Sequence, residues 1–435
     1  MAGARDRMRA GFRGRVRALR SRNFRLFFTG QLISNSGNWL TLVALTLLVL
    51  HLTNSGVAVG LVAACQFGPI LILSAFAGLI ADRSNKLRLL TITQTGEMCQ
   101  SFALAGLAFM DHPPLWALYL TALAGGCLLA FDNPVRRSFV TEMVPEEDVA
   151  NAVTLYSALV NASRIFGPAL AGLLVVTVGF GWCFTIDAIS YLAVLVALWM
   201  MRADELRRVP VTPRGKGQVR EGLRYVRSLP ELWIPFVMLG VVGTLSYNFT
   251  VVFPLFVEHG LGGSDASYTL VYTVFSAGAL VGAIIVADRH KVGVNNIVRG
   301  AAAFGVTSLL LAGAPNVAAT FPIVFFVGFS SIAFMTATTA IVQVRADPRM
   351  HGRVLALQTV LLVGTTPIGG PIMGAIADAT NARIPLVIGG AAAMGAALFG
   401  LLAWRATGTE TADPRPPEQT APPPPERVPE TGTVP

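Results

Sequence analysis

The sequence predicts an all-α polytopic membrane protein with twelve transmembrane helices in two six-helix pseudo-repeats. Three observations predict it. The 435 residues are 53% hydrophobic and only 13% charged, with a mean hydropathy of +0.61, the balance of a membrane chain rather than a water-soluble one. Twelve predominantly apolar runs of about 20 residues, the length that spans a bilayer as a helix, follow one another. Of the 33 cations, 31 lie in the termini and in alternate loops, which marks that side as cytoplasmic. The net charge of +9 therefore sits at helix ends and not on one nucleic-acid-binding face.

Residues 1–22 carry eight arginines, with Met8, Phe12, Val16 and Leu19 at helical spacing. They are expected as a basic amphipathic cytoplasmic tail on the anionic inner leaflet. The spans are expected near 24–50, 57–80, 89–110, 115–135, 152–177 and 182–202, a six-helix bundle over 23–202. A second bundle over 232–405 has spans near 232–257, 267–287, 297–314, 318–342, 353–377 and 384–405. The first run is too long for a secretory signal peptide. Residues 203–231 form a cytoplasmic linker that ends amphipathic, with Val219, Leu223 and Val226 opposite Arg220, Arg224 and Arg227, and is expected on the inner leaflet. Residues 406–435 hold nine prolines and no apolar run, so a disordered cytoplasmic tail is expected. Cys65, Cys99, Cys127 and Cys183 lie in apolar segments without C-x-x-C spacing; free thiols, no disulfide and no metal site are expected.

The interruption Gly78-Leu79-Ile80-Ala81-Asp82-Arg83-Ser84-Asn85-Lys86-Leu87-Arg88 joins the second and third spans. Gly78 admits a neighbouring helix, Asp82 sits at the membrane edge, and Arg83, Lys86 and Arg88 meet headgroups. The pattern G-x-x-x-D-R-x-x-K-x-R resembles the loop signature of the major facilitator superfamily. Asn85 stands where that family usually has glycine, and Asn also tolerates a left-handed turn. A partial echo, Asp288-Arg289-His290-Lys291, follows the eighth span. The resemblance implies a gate pairing of Asp82 with Arg136.

In the fifth span Ser163, Gly167 and Ala171 recur at i, i+4, i+8, a smooth stripe for close helix packing, and Pro168 removes a backbone hydrogen bond. Gly167-Pro168 through Gly172 resembles the superfamily's antiporter signature, with Ser163 and Ala171 in place of two glycines. Ordinary small-residue packing accounts for the same stripe. Gly370, Pro371 and Gly374 echo it in the eleventh span, as an internal repeat would.

Ionisable residues inside a bilayer are functional candidates, and here they are Glu97, Asp132, Arg164 and Asp187. Arg164 either meets an anionic or polar substrate or a coupling acid, or is a structural arginine paired to a carboxylate or carbonyls. Glu97 and Asp187 are candidates for proton coupling or for structural roles. Asp132 is a third coupling candidate, for which an i, i+4 ion pair with Arg136 is the plainest account. Uncharged polar stripes mark cavity candidates: Gln31, Asn35, Asn38 and Thr41 with Trp39 alongside, Asn161 beside Arg164, then Thr244, Tyr247 and Asn248, and Thr336, Thr339 and Gln343.

Residues 20–405 resemble the exporter branch of the superfamily that contains enterobactin exporters and actinobacterial drug-efflux proteins. Arg22-Asn23-Phe24-Arg25, Asn38-Trp39-Leu40, Arg164-Ile165-Phe166-Gly167-Pro168 and Asp187-Ala188-Ile189-Ser190 carry the likeness. Members often have an aspartate at the position of Asn38, so coupling here must use another residue or be absent. The resemblance implies a secondary active transporter in the bacterial inner membrane, with both termini cytoplasmic. Proton-coupled efflux of a drug, siderophore or secondary metabolite by alternating access is the leading expectation. An importer or uniporter of the same fold is the alternative, and a non-transporting scaffold a remoter one. No G-x-S-x-G, H-E-x-x-H or G-x-x-x-x-G-K-[ST] occurs, so neither catalysis nor nucleotide hydrolysis is expected. The expected partners are a small molecule, protons and anionic lipids, with no cofactor, no nucleic acid and a monomeric state.

Overall fold

A computed structural model describes residues 17–207, 218–287, 293–347 and 350–407. The first bundle consists of α1 (Arg22–Thr53), α2 (Gly56–Arg83), α3 (Lys86–Ala108), α4 (Leu115–Val140), α5 (Val149–Val178) and α6 (Phe180–Trp199). A short helix, α7 (Gln218–Ser228), precedes the second bundle. That bundle holds α8 (Pro230–Leu245) with α9 (Phe249–Leu255), then α10 (Asp265–Ala287), α11 (Val294–Ala312) and α12 (Val317–Arg345). It closes with α13 (His351–Val363), α14 (Thr366–Ala379) and α15 (Ile384–Ala406).

The packing repeats between bundles. In the first, α1 lies on α6, α2 on α4, and α3 on both α4 and α6. In the second, α8 lies on α15, α10 on α12, and α11 on both α12 and α15. Between the bundles, α2 meets α14 and α5 meets α10. Apolar side chains such as Ile72, Phe166, Leu173 and Leu398 stay exposed around the outside, as a lipid-facing surface requires. Trp116, Trp182 and Trp199 are exposed at helix ends, the level of the membrane interface.

Among the described residues, eleven helical segments are long and apolar enough to cross a membrane. The twelfth expected span, α3, falls short because Thr91, Thr93, Gln94, Thr95, Glu97, Gln100 and Ser101 dilute it. Four of these, Thr93, Gln94, Glu97 and Ser101, are buried against the bundle, so tertiary packing holds the helix rather than its hydropathy.

Two spans expected as continuous helices are broken near mid-length. Between α8 and α9, Ser246 and Tyr247 both donate their N–H to Val242, at 2.8 and 3.1 Å, widening the turn. The Asn248 side chain takes the Thr244 carbonyl at 2.7 Å, and Pro254, a few residues on, offers no N–H. Phe256–Gly260 then forms a π-turn. Between α13 and α14, Pro367 has no N–H for the Val363 carbonyl, and Thr365 bonds back to Leu361 at 2.8 Å.

Other expectations shift in detail. Asn85 does not take a left-handed turn: at φ −67° it caps α3, its side chain accepting from the Arg88 N–H at 3.1 Å. The amphipathic segment before the second bundle is helical, but it docks on protein as well as facing outward. Val226 is buried, Glu221 pairs with Arg353 at 2.7 Å, and the Tyr225 hydroxyl accepts from the Asp347 N–H at 2.8 Å. Among the cysteines, all free, Cys183 is buried and Cys99 exposed. Most of the basic tail (1–16), the Asp288–Lys291 echo and the proline-rich tail (408–435) lie outside the described residues.

Candidate substrate cavity and buried charge network

The two breaks face one cavity of about 190 Å³ between the bundles. Tyr247, Phe249 and Thr250 reach it from the α8–α9 break, Leu362 and Thr366 from the α13–α14 break. Broken helices at mid-membrane free backbone and side-chain polar groups where a ligand can meet them. The first bundle contributes Phe67 and Arg164. The Arg164 guanidinium lies over the Trp39 ring, 5.3 Å from its centre, a cation–π contact. No carboxylate lies within ion-pair distance of Arg164 among the described residues.

The wall opposite is aromatic. Phe249 and Phe275 have ring centres 4.5 Å apart, and Tyr247 stacks on Phe304 at 5.5 Å. Tyr272 lies edge-on to Phe253 at 6.2 Å. The Tyr247 hydroxyl donates to the Ser331 carbonyl at 2.6 Å, which fixes its ring.

A second set of functional groups lies inside the first bundle, away from the cavity. Arg136 is buried and pairs with Asp132 one turn earlier, donates to Gln31 at 3.0 Å and approaches Glu97 at 3.9 Å. Gln94 links Asp132 and Glu97, donating to each at 2.9 Å, and Thr93 donates to Asp132 at 2.9 Å. Asp187 of α6, also buried, accepts from Thr41 at 2.7 Å and Ser101 at 2.8 Å. Glu97 and Asp187 each keep one oxygen with no hydrogen-bond partner.

A third set seals the bundle at the end away from the chain termini. Asp378, at the end of α14, caps the start of α2, accepting from Gly56 N–H at 2.6 Å, Val57 N–H at 3.0 Å and the Ser55 hydroxyl at 2.7 Å. His51 at the end of α1 meets Asp265 of α10 at 2.9 Å, with Glu258 3.9 Å away. Beneath them α2 and α14 touch backbone to backbone: a Cβ on Gly60 would lie 2.6 Å from the Pro371 Cα. Among the described residues, every hydrogen bond or ion pair joining the bundles lies at this end.

A family model described as transmembrane secretion effector matches residues 14–433. The chain belongs to this family of major facilitator superfamily transporters. It is therefore a multi-pass membrane transporter. The staphyloferrin A transporter of Staphylococcus aureus is 24% identical, covering 81% of this chain and 89% of its own length. The multidrug efflux pump Tap of Mycolicibacterium fortuitum is 25% identical, covering 82% and 89%. Among solved structures, a bacterial homologue of the human lysosomal transporter Spinster, inward-facing and unoccupied, superposes with a TM-score of 0.72. Its identity is 16%, over 91% of this chain and 99% of that one. A POT family transporter in complex with 5-aminolevulinic acid gives 0.73 at 10% identity, over 90% and 97%.

In this major facilitator transporter the sequence-expected cavity residues separate. Arg164 and Tyr247 line the cavity, and Trp39 supports Arg164. Gln31 does not line it: its stripe turns inward, where Gln31 is needed by Arg136. Asn35 is buried, while Asn161 spends its amide on the Ser157 carbonyl at 2.9 Å. Asn248 is buried and serves the helix break, Gln343 is exposed beyond the cavity, and neither Asn38 nor Thr336 lines it.

Among the described residues Arg136 engages Asp132, Gln31 and Glu97; the expected gate pairing falls on Asp82. The side chains of Asp82 and Arg83 lie outside the described residues. Lys86 pairs with Glu142 at the end of α4, Gly78 is buried, and Arg88 is exposed. The small-residue stripes do form close contacts. Gly167 packs on Trp39 and Ser36 of α1, Gly172 on Thr269 of α10, and Gly374 on Gly56, while Pro168 is buried within an unbroken α5. Gly370 sits beside Val251 and Ala63. Missed by sequence were the aromatic wall and the Asp378 and His51 contacts. The one available signal was the density of Phe and Tyr between 247 and 275.

Proposed function

We propose that this transporter exports a small amphipathic molecule from the cytoplasm in exchange for protons, by rocking the two bundles about the cavity. The carrying observation is that, among the described residues, the hydrogen bonds and ion pairs joining the bundles lie at one end, with the cavity between the bundles. Even span count and cation placement support a bacterial inner membrane with both termini in the cytoplasm and the joined end outside; on that reading the described state takes substrate from within. The name of the multidrug efflux relative supports export, as does the small-residue stripe at Gly167-Pro168.

Proton coupling is assigned to the buried network. It sets three carboxylates, Glu97, Asp132 and Asp187, against one guanidinium, so each proton bound or released changes an uncompensated charge out of water, at a cost of several kcal/mol. A proton shifts the two states only through its different affinity for each. Glu97 and Asp187, with one unpaired oxygen apiece, are the groups free to accept it. Asp132 is held by Arg136 and positions the network.

The test is proteoliposomes with a trapped pH dye, challenged with amphipathic drugs and siderophores. Substrate-evoked proton flux that vanishes in Glu97→Gln or Asp187→Asn is the expected result. Substrate movement without proton flux, in either direction, would remove the coupling and leave a uniporter.

A further inference from the structure

We propose that the cavity selects anionic aromatic molecules, a carboxylate or similar anion on a body of one or two rings, over cations of the same shape. This rests on the transport reading of the cavity and names its substrate class.

The inference comes from the charges that line the site. Among the described residues thirteen line the cavity; one of them is charged, Arg164, and none is a carboxylate. The acids of the first bundle are committed elsewhere, to Arg136 or to Thr41 and Ser101. A cation entering here meets a positive charge with no acid to offset it. An anion meets a planar guanidinium with donors to spare, the group best matched to a carboxylate by its bidentate fork. Trp39 holds that guanidinium by its face at 5.3 Å, which leaves the N–H edges free. The Tyr272 hydroxyl, also at the cavity, has no hydrogen-bond partner among the described residues and supplies a second donor.

The rest of the ligand is read from the walls. Phe67 lines the cavity from the same bundle as Arg164, while Tyr247, Phe249 and Phe275 of the second bundle form a packed aromatic surface. Offset and edge-on ring contacts favour a flat aromatic guest. The volume of about 190 Å³ lies below the roughly 300–1,000 Å³ of drug-sized sites. It suits one or two rings and their anion rather than a whole macrocycle.

The experiment uses the full-length protein in lipid nanodiscs and proteoliposomes, with three probes of one shape: 2-naphthoate, 2-naphthamide and 2-naphthylmethylamine. Equilibrium dialysis should show naphthoate bound at least about tenfold more tightly than either other probe, as a charge-assisted bidentate contact requires. Arg164→Gln should remove that preference, and naphthamide binding that persists to within a few-fold shows that the variant is folded. Arg164→Lys should keep part of it. Equal binding of the amine and the naphthoate, a preference that survives Arg164→Gln, or no binding of any probe overturns the proposal. Vesicle flux separates the two readings. If the amine is carried independently of Arg164, transport stands and the charge selection falls. If naphthoate binds with the expected preference but none of the probes is carried, the anion site stands and its role in transport falls.

Discussion

In the first bundle Glu97, Asp132, Asp187 and Arg136 are all buried; in the second, every buried polar side chain among the described residues is uncharged. The second bundle instead supplies the aromatic wall, from Tyr247 to Phe304. Two bundles that repeat the same helix pairings thus carry different chemistry: ionisable groups in one, ligand surface in the other. The contrast teaches that the repeat is one of packing. Whatever side chain fits between two helices can change while the helices keep their neighbours.

The strongest way to break that contrast is to compare the two intramembrane arginines. Arg136→Ala strands buried carboxylates and should cost about 3–5 kcal/mol, seen as a large fall in thermal stability in detergent. Arg164→Ala, which strands none, should leave stability almost unchanged. Equal losses would show that Arg164 is as structural as Arg136.

The seam between the bundles offers the next test. Gly374→Leu places a branched side chain against the Gly56 backbone, an overpacking of about 3 kcal/mol. Transport should fall by about a hundredfold while insertion persists. Normal transport would mean that this end need not close along α2 and α14.

Asp378→Asn acts on the same seam more gently. It weakens charge-assisted bonds to the start of α2 and should cost the closed state about 1.5 kcal/mol. Spin labels at Thr53 and Thr380 should report a larger outward-open population. An unchanged distance distribution would relegate the cap to local helix termination.

Trp39→Leu is the finest probe. It removes the cation–π support of Arg164, worth about 0.5–1 kcal/mol, and should weaken naphthoate binding a few-fold without touching naphthamide. Equal weakening of both would make Trp39 a wall of the cavity rather than a support for its charge.

Much of the fold was legible in the sequence, because a bilayer demands runs of about 20 apolar residues and cations on one side. The span limits 89–110 and 384–405 fall close to α3 and α15 for that reason. The breaks at 246–248 and 364–365 were not legible. Proline occurs in several unbroken helices here, Pro168 and Pro322 among them, so Pro254 and Pro367 alone mark nothing. The site was read by polarity: of the residues so chosen for the cavity, Arg164 lines it, while Gln31 bonds Arg136 and the Asn248 amide serves the helix break. Polarity says that a side chain needs a partner; it does not say whether that partner is a ligand or another helix.

By itself the sequence determined an all-α polytopic membrane protein and its small set of intramembrane charges. Both follow from the energetics of placing each residue in lipid or water, a property local to the chain. The tertiary structure alone decided which charges meet. It committed Arg136 to Asp132 and left Arg164 facing the cavity, placed Asp378 over the start of α2, and gathered Tyr247, Phe249 and Phe275 into one wall. Those outcomes depend on the rotation of each helix about its own axis, which is set by packing against neighbours far away in the chain.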